Sequence, residues 1–100
     1  MVFFAVMGFT ITDVGLKCSD VGLVDLFTGQ ECQAAVIDVI PFIPNANYRR
    51  QFSDPNFRKG CYIWEIHTSA KDEMYFNSHP TGGDNFLERT RSICKKGNIT

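Results

Sequence analysis

Thr28-Gly29-Gln30-Glu31-Cys32-Gln33-Ala34-Ala35-Val36-Ile37-Asp38-Val39-Ile40-Pro41 is the stretch whose reading decides the fold. Thr28 followed by Glu31 is a capping box, in which the hydroxyl serves a helical N–H and the carboxylate reaches back. It predicts a helix opening at about Gly29. Cys32, Ala35, Val36, Val39 and Ile40 then follow the spacing of a single helical face. Pro41 ends the pattern, because proline disfavours helical geometry in the residue before it. Cys32 thus falls on the buried face of the first turn.

Downstream, Pro41, Pro44, Asn45, Asn47, Asp54, Pro55, Asn56 and Gly60 punctuate residues 41–60 heavily enough to predict a loop. Such long loops tend to bind or to be pinned by packing, and Phe42, Tyr48, Phe52 and Phe57 are the side chains available for either. Residues 61–67 and 73–77 are β-prone and separated by a polar stretch, which predicts a hairpin. From Ser78 onward the chain reads as loop until Ser92-Ile93-Cys94, where a cysteine ties down the tail. Upstream, residues 2–16 read as extended, with Gly8 and Gly15 as interruptions. The expected architecture is α+β: one amphipathic helix packed on a small antiparallel sheet and stabilised by two disulfides.

The four cysteines, Cys18, Cys32, Cys61 and Cys94, form no C-x-x-C pair, which argues against a zinc knuckle or a thioredoxin-type site. Two disulfides with three possible connectivities are the expectation, and they imply an oxidising compartment. Closing loops of this size adds roughly 3–4 kcal/mol each in the chain-entropy model, which matters to a chain of 100 residues. Ten basic residues against eleven acidic ones give a net charge of −1, without the positive excess that nucleic-acid binding needs. Arg49, Arg50, Arg58 and Lys59 are the nearest thing to a basic cluster and read as solvated surface charge.

Catalytic chemistry finds little support. His67 and His79 are not spaced to share a metal on one helical face. There is no G-x-S-x-G elbow, and each cysteine has a disulfide role. Gly82-Gly83 lacks the spacing that cradles phosphate and reads as a turn. No catalytic residue, metal or cofactor is expected. Tyr62, Trp64 and Ile66 share one face of a strand with Tyr75 opposite, which fits either core packing or a platform for a sugar or protein. The apolar run containing Val2, Phe3, Phe4, Val6 and Phe9 is too short to span a bilayer, which takes about 20 residues. It reads as a buried edge strand or an arm laid on a partner. Asn98-Ile99-Thr100 is a formal glycosylation sequon at the terminus.

Cys18 with Gly22, Glu31-Cys32-Gln33-Ala34-Ala35, Lys59-Gly60-Cys61-Tyr62, Tyr75-Phe76-Asn77 and Ile93-Cys94-Lys95 occur in that order. This pattern resembles a small cysteine-rich domain, of no established activity, in proteins of dinoflagellates and other unicellular algae. The similarity covers residues 17–96, leaving residues 1–16 as an apolar arm or edge strand and 97–100 as a tail. Arg58-Lys59 departs from the small pair that precedes the glycine in that pattern. The pairing expected here is Cys32–Cys61, joining helix to hairpin, and Cys18–Cys94, joining the first segment to the tail. The algal resemblance implies a non-catalytic accessory subunit of a larger assembly, with a photosystem–antenna complex at the thylakoid lumen as the candidate. The alternative is a secreted or cell-surface module for a glycan or protein ligand. Contact residues expected are Val2, Phe3, Phe4, Val6, Phe9, Phe42, Tyr48, Phe52, Phe57 and Trp64.

Overall fold

Thr28 opens the helix as its sequence requires, with extended dihedrals and its hydroxyl accepting from the Glu31 N–H at 3.0 Å. The Glu31 carboxylate completes the box one residue early, accepting from the Phe27 N–H at 2.7 Å. The computed structural model describes residues 9–64 and 72–97. The helix runs as α1 (Gly29–Ala34) and α2 (Val36–Val39), joined through Ala35, which keeps right-handed helical dihedrals. Cys32, Ala35 and Val39 are fully buried, whereas Ile40, the last residue of the expected stripe, is 42% exposed. The stripe turns out to solvent where Pro41 releases the chain.

The strands are β1 (Thr10–Ile11), β2 (Val24–Asp25), β3 (Ala46–Phe52), β4 (Gly60–Trp64), β5 (Asp72–Asn77) and β6 (Thr90–Lys95). Short 3-10 turns occupy Cys18–Val21 and Leu87–Arg89. The sheet order is β1-β6-β4-β5-β3, and β2 also pairs with β6. Cys94 is flanked by Thr10 on one edge and Asp25 on the other, so β2 continues the edge that β4 occupies up to Ser92. The expected hairpin is present as β4 against β5, with Tyr62 facing Tyr75.

Two expectations are corrected. The segment 46–52 is not loop but an edge strand, parallel to β5, so the sheet is mixed rather than antiparallel. The chain does not stay loop from Ser78 to Ser92: a 3-10 turn at Leu87–Arg89 leads into β6, which opens at Thr90 and is an interior strand between β1 and β4.

One face of the sheet carries Cys61, Ile63, Met74, Phe76 and Ile93, which pack with Cys32, Ala35 and Val39 of the helix as the core. The opposite face follows by alternation: Tyr62 pairs with Tyr75 and with Ser92, and Cys94 shares the side of Ser92. The disulfides, Cys32–Cys61 and Cys18–Cys94, paired as expected, therefore sit on opposite faces. The first fastens the helix to the core face. The second fastens the 3-10 turn at Cys18 to the other. Their sequence separations of 29 and 76 are those at which cross-links restrict the unfolded chain by about 3.6 and 4.5 kcal/mol.

Glu31 also grips the last strand. Its carboxylate meets the Lys95 ammonium at 2.6 Å, and that ammonium lies 3.8 Å from the centre of the Phe27 ring. Burial pushes the Glu31 carboxyl up, but the Lys95 contact and the Phe27 and Thr28 backbone bonds outweigh it, and the carboxyl lies below its ordinary 4.5. A depressed carboxyl contributes stability above its unfolded value and loses it as the pH falls through the folded one. Glu31→Gln is accordingly expected to cost about 0.5–1.5 kcal/mol near neutrality. The gap to the parent should close below pH 4.5. Urea titrations across that range check it, and a pH-independent gap would refute the account.

Candidate binding surfaces

The sheet face away from the helix is built from aromatic rings, and a single extra residue in β3 brings Phe52 into it. Tyr48 pairs with Met74, but Arg50 pairs with Tyr75, so Arg49 is a bulge. One inserted residue moves every later side chain to the other face. Before the bulge, Ala46 and Tyr48 pack against the core. After it, Phe52 joins Tyr62 and Tyr75, with ring centroids 6.4 and 6.0 Å away. Tyr62 and Tyr75 stack at 5.9 Å. Phe57, from the loop after β3, meets Phe52 edge-on at 6.0 Å and stacks on Phe86 at 5.8 Å, and Trp64 lies 5.1 Å from Phe86.

Phe86 is the sole non-glycine among the described residues with positive φ, at 57°, and it is 47% exposed. For a phenylalanine the left-handed region costs about 1–2 kcal/mol. The Phe57 stack and a hydrogen bond from the Thr90 hydroxyl to the Phe86 carbonyl hold it there. Arg50 lies 5.5 Å from the Phe52 ring centre, and Asp54, whose carboxylate accepts from the Asn56 N–H at 2.8 Å, stands nearby. These two and the rings of Phe52, Phe57, Trp64 and Tyr75 line a depression of about 220 Å³ floored by Tyr62. Burial pushes the Tyr62 phenol up to about 12.

Arg58 anchors the same side. It is 2% exposed, and its five N–H donors all find carbonyl or hydroxyl oxygens. Nε donates to the Thr90 hydroxyl at 2.8 Å, and one terminal nitrogen to the Leu16 carbonyl and the Ser92 hydroxyl. The other donates to the carbonyls of Leu87 and Thr90, at 3.2 and 2.9 Å. Burial pulls its pKa down, while Tyr62, Asp25, Asp84 and Asp20 act the other way. The sequence reading of Arg58 as solvated charge is thus corrected, whereas Arg49, Arg50 and Lys59 are exposed as expected. Asn77, fully buried, fixes the adjoining loop by donating to the carbonyls of Asp54, Phe57 and Arg58.

Beside Arg58 runs a polar cleft of about 320 Å³, crossed by the Lys17–Asp84 ion pair at 2.7 Å. Burial raises the Asp25 carboxyl in it, with Lys59 and Arg58 opposing. Gly82 and Gly83 in its wall are there for packing. A Cβ on Gly82 would lie 2.6 Å from the Lys59 nitrogen, and one on Gly83 2.5 Å from the Pro55 carbonyl oxygen.

A different surface lies on the helix side. Ile37 is 77% exposed, Ile40 42% and Phe42 74%. Phe42 and Ile43 face Phe9 and Ile11 across a groove of about 530 Å³, with Arg91 at its end.

The expected contact residues therefore divide. Phe42 and Phe9 meet at this apolar groove; Phe52, Phe57 and Trp64 meet on the aromatic face; Tyr48 packs against the core and the helix start at Gly29. Val2, Phe3, Phe4, Val6, His67, Ile66 and the sequon at Asn98 lie outside the described residues. Sequence reasoning missed Ile37, Ile40, Arg50, Asp54 and Phe86. Ile37 was legible as the apolar residue off the helical stripe; nothing local marks Phe86. Among the described residues no cluster of three or more His, Cys, Asp or Glu is placed to hold a metal, and no helix is long and apolar enough to cross a membrane. Compared with protein-family models, curated proteins and solved structures, the chain matches none.

Removing the Arg58 guanidinium leaves buried carbonyls and hydroxyls without donors. Arg58→Met is expected to cost about 3–5 kcal/mol, against less than about 0.5 kcal/mol for the exposed neighbour in Lys59→Met. Urea denaturation with disulfides intact tests this, and equal losses in the two variants would show that Arg58 is not the anchor.

Proposed function

We propose that this chain is a non-catalytic interaction domain that docks on an apolar surface of a partner protein through Ile37, Ile40 and Phe42. The observation that carries it is the exposure of these three large apolar side chains within residues 37–42, the last of which lines the groove with Phe9. Each exposed apolar side chain gives up stabilisation that burial would supply, about 1.5–3 kcal/mol when complete, and contiguous patches of this kind mark interaction sites.

The two disulfides fit an oxidising compartment. The resemblance to the algal cysteine-rich domain makes the narrower form of the proposal an accessory subunit of a photosystem–antenna assembly on the lumenal side of the thylakoid. The rigid stapled body suits a part that adds contacts to a large complex without a span of its own among the described residues.

The test is a density gradient of gently solubilised cells, with mass spectrometry for the chain. The parent is expected to migrate with a large pigmented complex. The pair Ile37→Asp and Phe42→Asp, both at exposed positions, should keep the melting temperature within about 2 °C. It should also move the chain to the position of a free 11.3 kDa species. A parent that already migrates free overturns the docking proposal, as does a double variant that migrates like the parent. Migration with an unpigmented complex overturns only the photosystem form.

A further inference from the structure

We infer that the aromatic face of the sheet is a binding site for a neutral, β-linked glucopyranose chain, independent of the apolar docking surface on the helix side. Its shape and polarity both point there. The depression of about 220 Å³ is smaller than the roughly 300–1,000 Å³ of sites that engulf a ligand, so it suits a ligand laid across it, one ring at a time. Its walls are flat rings rather than branched aliphatics: Phe52, Phe57, Trp64 and Tyr75, extended by the half-exposed Phe86. A pyranose whose hydroxyls are all equatorial presents faces of axial C–H groups, and these lie well on aromatic rings.

The polar groups match the rest of such a ligand. Arg50 and Asp54 stand in the same depression, one a donor fork and the other an acceptor. A vicinal pair of hydroxyls, each both donor and acceptor, carries the groups that both call for. Their charges cancel, which favours a neutral ligand over an acidic or basic one. Asp54 is oriented by the Asn56 N–H, and its loop is fixed by Asn77, so the acceptor is held in place before any ligand arrives.

Phe86 supplies the second observation. Its left-handed backbone is unfavourable for phenylalanine, yet its ring stays 47% exposed and its burial does not account for the residue. It stacks on Phe57 and lies beside Trp64, so a half-exposed ring adjoins two of the rings that line the depression.

The chain holds one tryptophan, so the emission of Trp64 reports this site directly. Cellohexaose and laminarihexaose titrated into the parent are expected to give a saturable change in that emission. Phe86→Gly removes the ring and relieves the positive φ; it should fold as the parent does and bind about tenfold more weakly. Arg50→Ala, at an exposed position, should weaken binding similarly and keeps the test valid if Phe86→Gly fails to fold. No saturable change with either saccharide at millimolar concentration overturns the proposal. So does binding that both variants leave unaltered. If Phe86→Gly instead releases the chain from a protein complex while neither saccharide binds, the face is a protein contact and the inference is overturned.

Discussion

A guanidinium buried without a carboxylate is the constraint on which most of this structure depends. Arg58 joins segments that share little else: Leu16 ahead of the first disulfide turn, Leu87 in the second 3-10 turn, and Thr90 and Ser92 on β6. Planar and five-fold donating, it meets acceptors that a point charge such as lysine could not satisfy together. Because its hydrogen bonds all go to hydroxyl and carbonyl oxygens, each has to be present, and none is replaceable by an apolar group of the same size. That requirement reaches outward. It keeps Thr90 and Ser92 polar on a buried face, brings Leu87 and with it Phe86 into position, and leaves Lys59 free to turn to solvent.

The disulfides divide the remaining work by face. Cys32–Cys61 lies in the apolar core, where helix and sheet would already attract each other. Cys18–Cys94 lies on the opposite face, at the end away from the aromatic rings, where polar bonds around Arg58 do the fastening. In a domain this small neither face buries enough to be secure alone.

The helix was legible because its signals are local. The box at Thr28 and Glu31, the stripe from Cys32 to Val39 and the stop at Pro41 lie within one short stretch and need no tertiary knowledge. The hairpin was legible for a similar reason, since Tyr62 and Trp64 alternate with Cys61 and Ile63 in the period of two. β3 was not, because the Arg49 bulge breaks that period: Tyr48 and Phe52 are four apart yet face opposite ways. β6 was hidden by Arg58, whose appetite for oxygen places Thr90 and Ser92 where an interior strand would ordinarily show valine or isoleucine. Two non-local interactions thus account for the two misread segments. The site followed the same rule. Aromatic residues on β4 and β5 could be named from sequence; the loop residues Asp54 and Phe86 that complete the surface could not.

The same bulge links the fold to its surfaces. Had β3 continued through Arg49 in regular alternation, with no bulge, Phe52 would face the helix and Gln51 the open side, and the aromatic face would end at Tyr75. Gln51 instead reaches toward the helix start at Gly29, where only a residue without a side chain leaves room for it and for the Tyr48 hydroxyl. A bulge on an edge strand also discourages pairing with a second sheet, and the exposed Arg49 and Arg50 reinforce that. The edge of the sheet is therefore closed to strand addition by the same residue that opens its face to rings. What remains available for recognition is one aliphatic surface on the helix side and one aromatic, charge-balanced surface opposite. Their chemistries are different enough that a single partner would not be expected to use both.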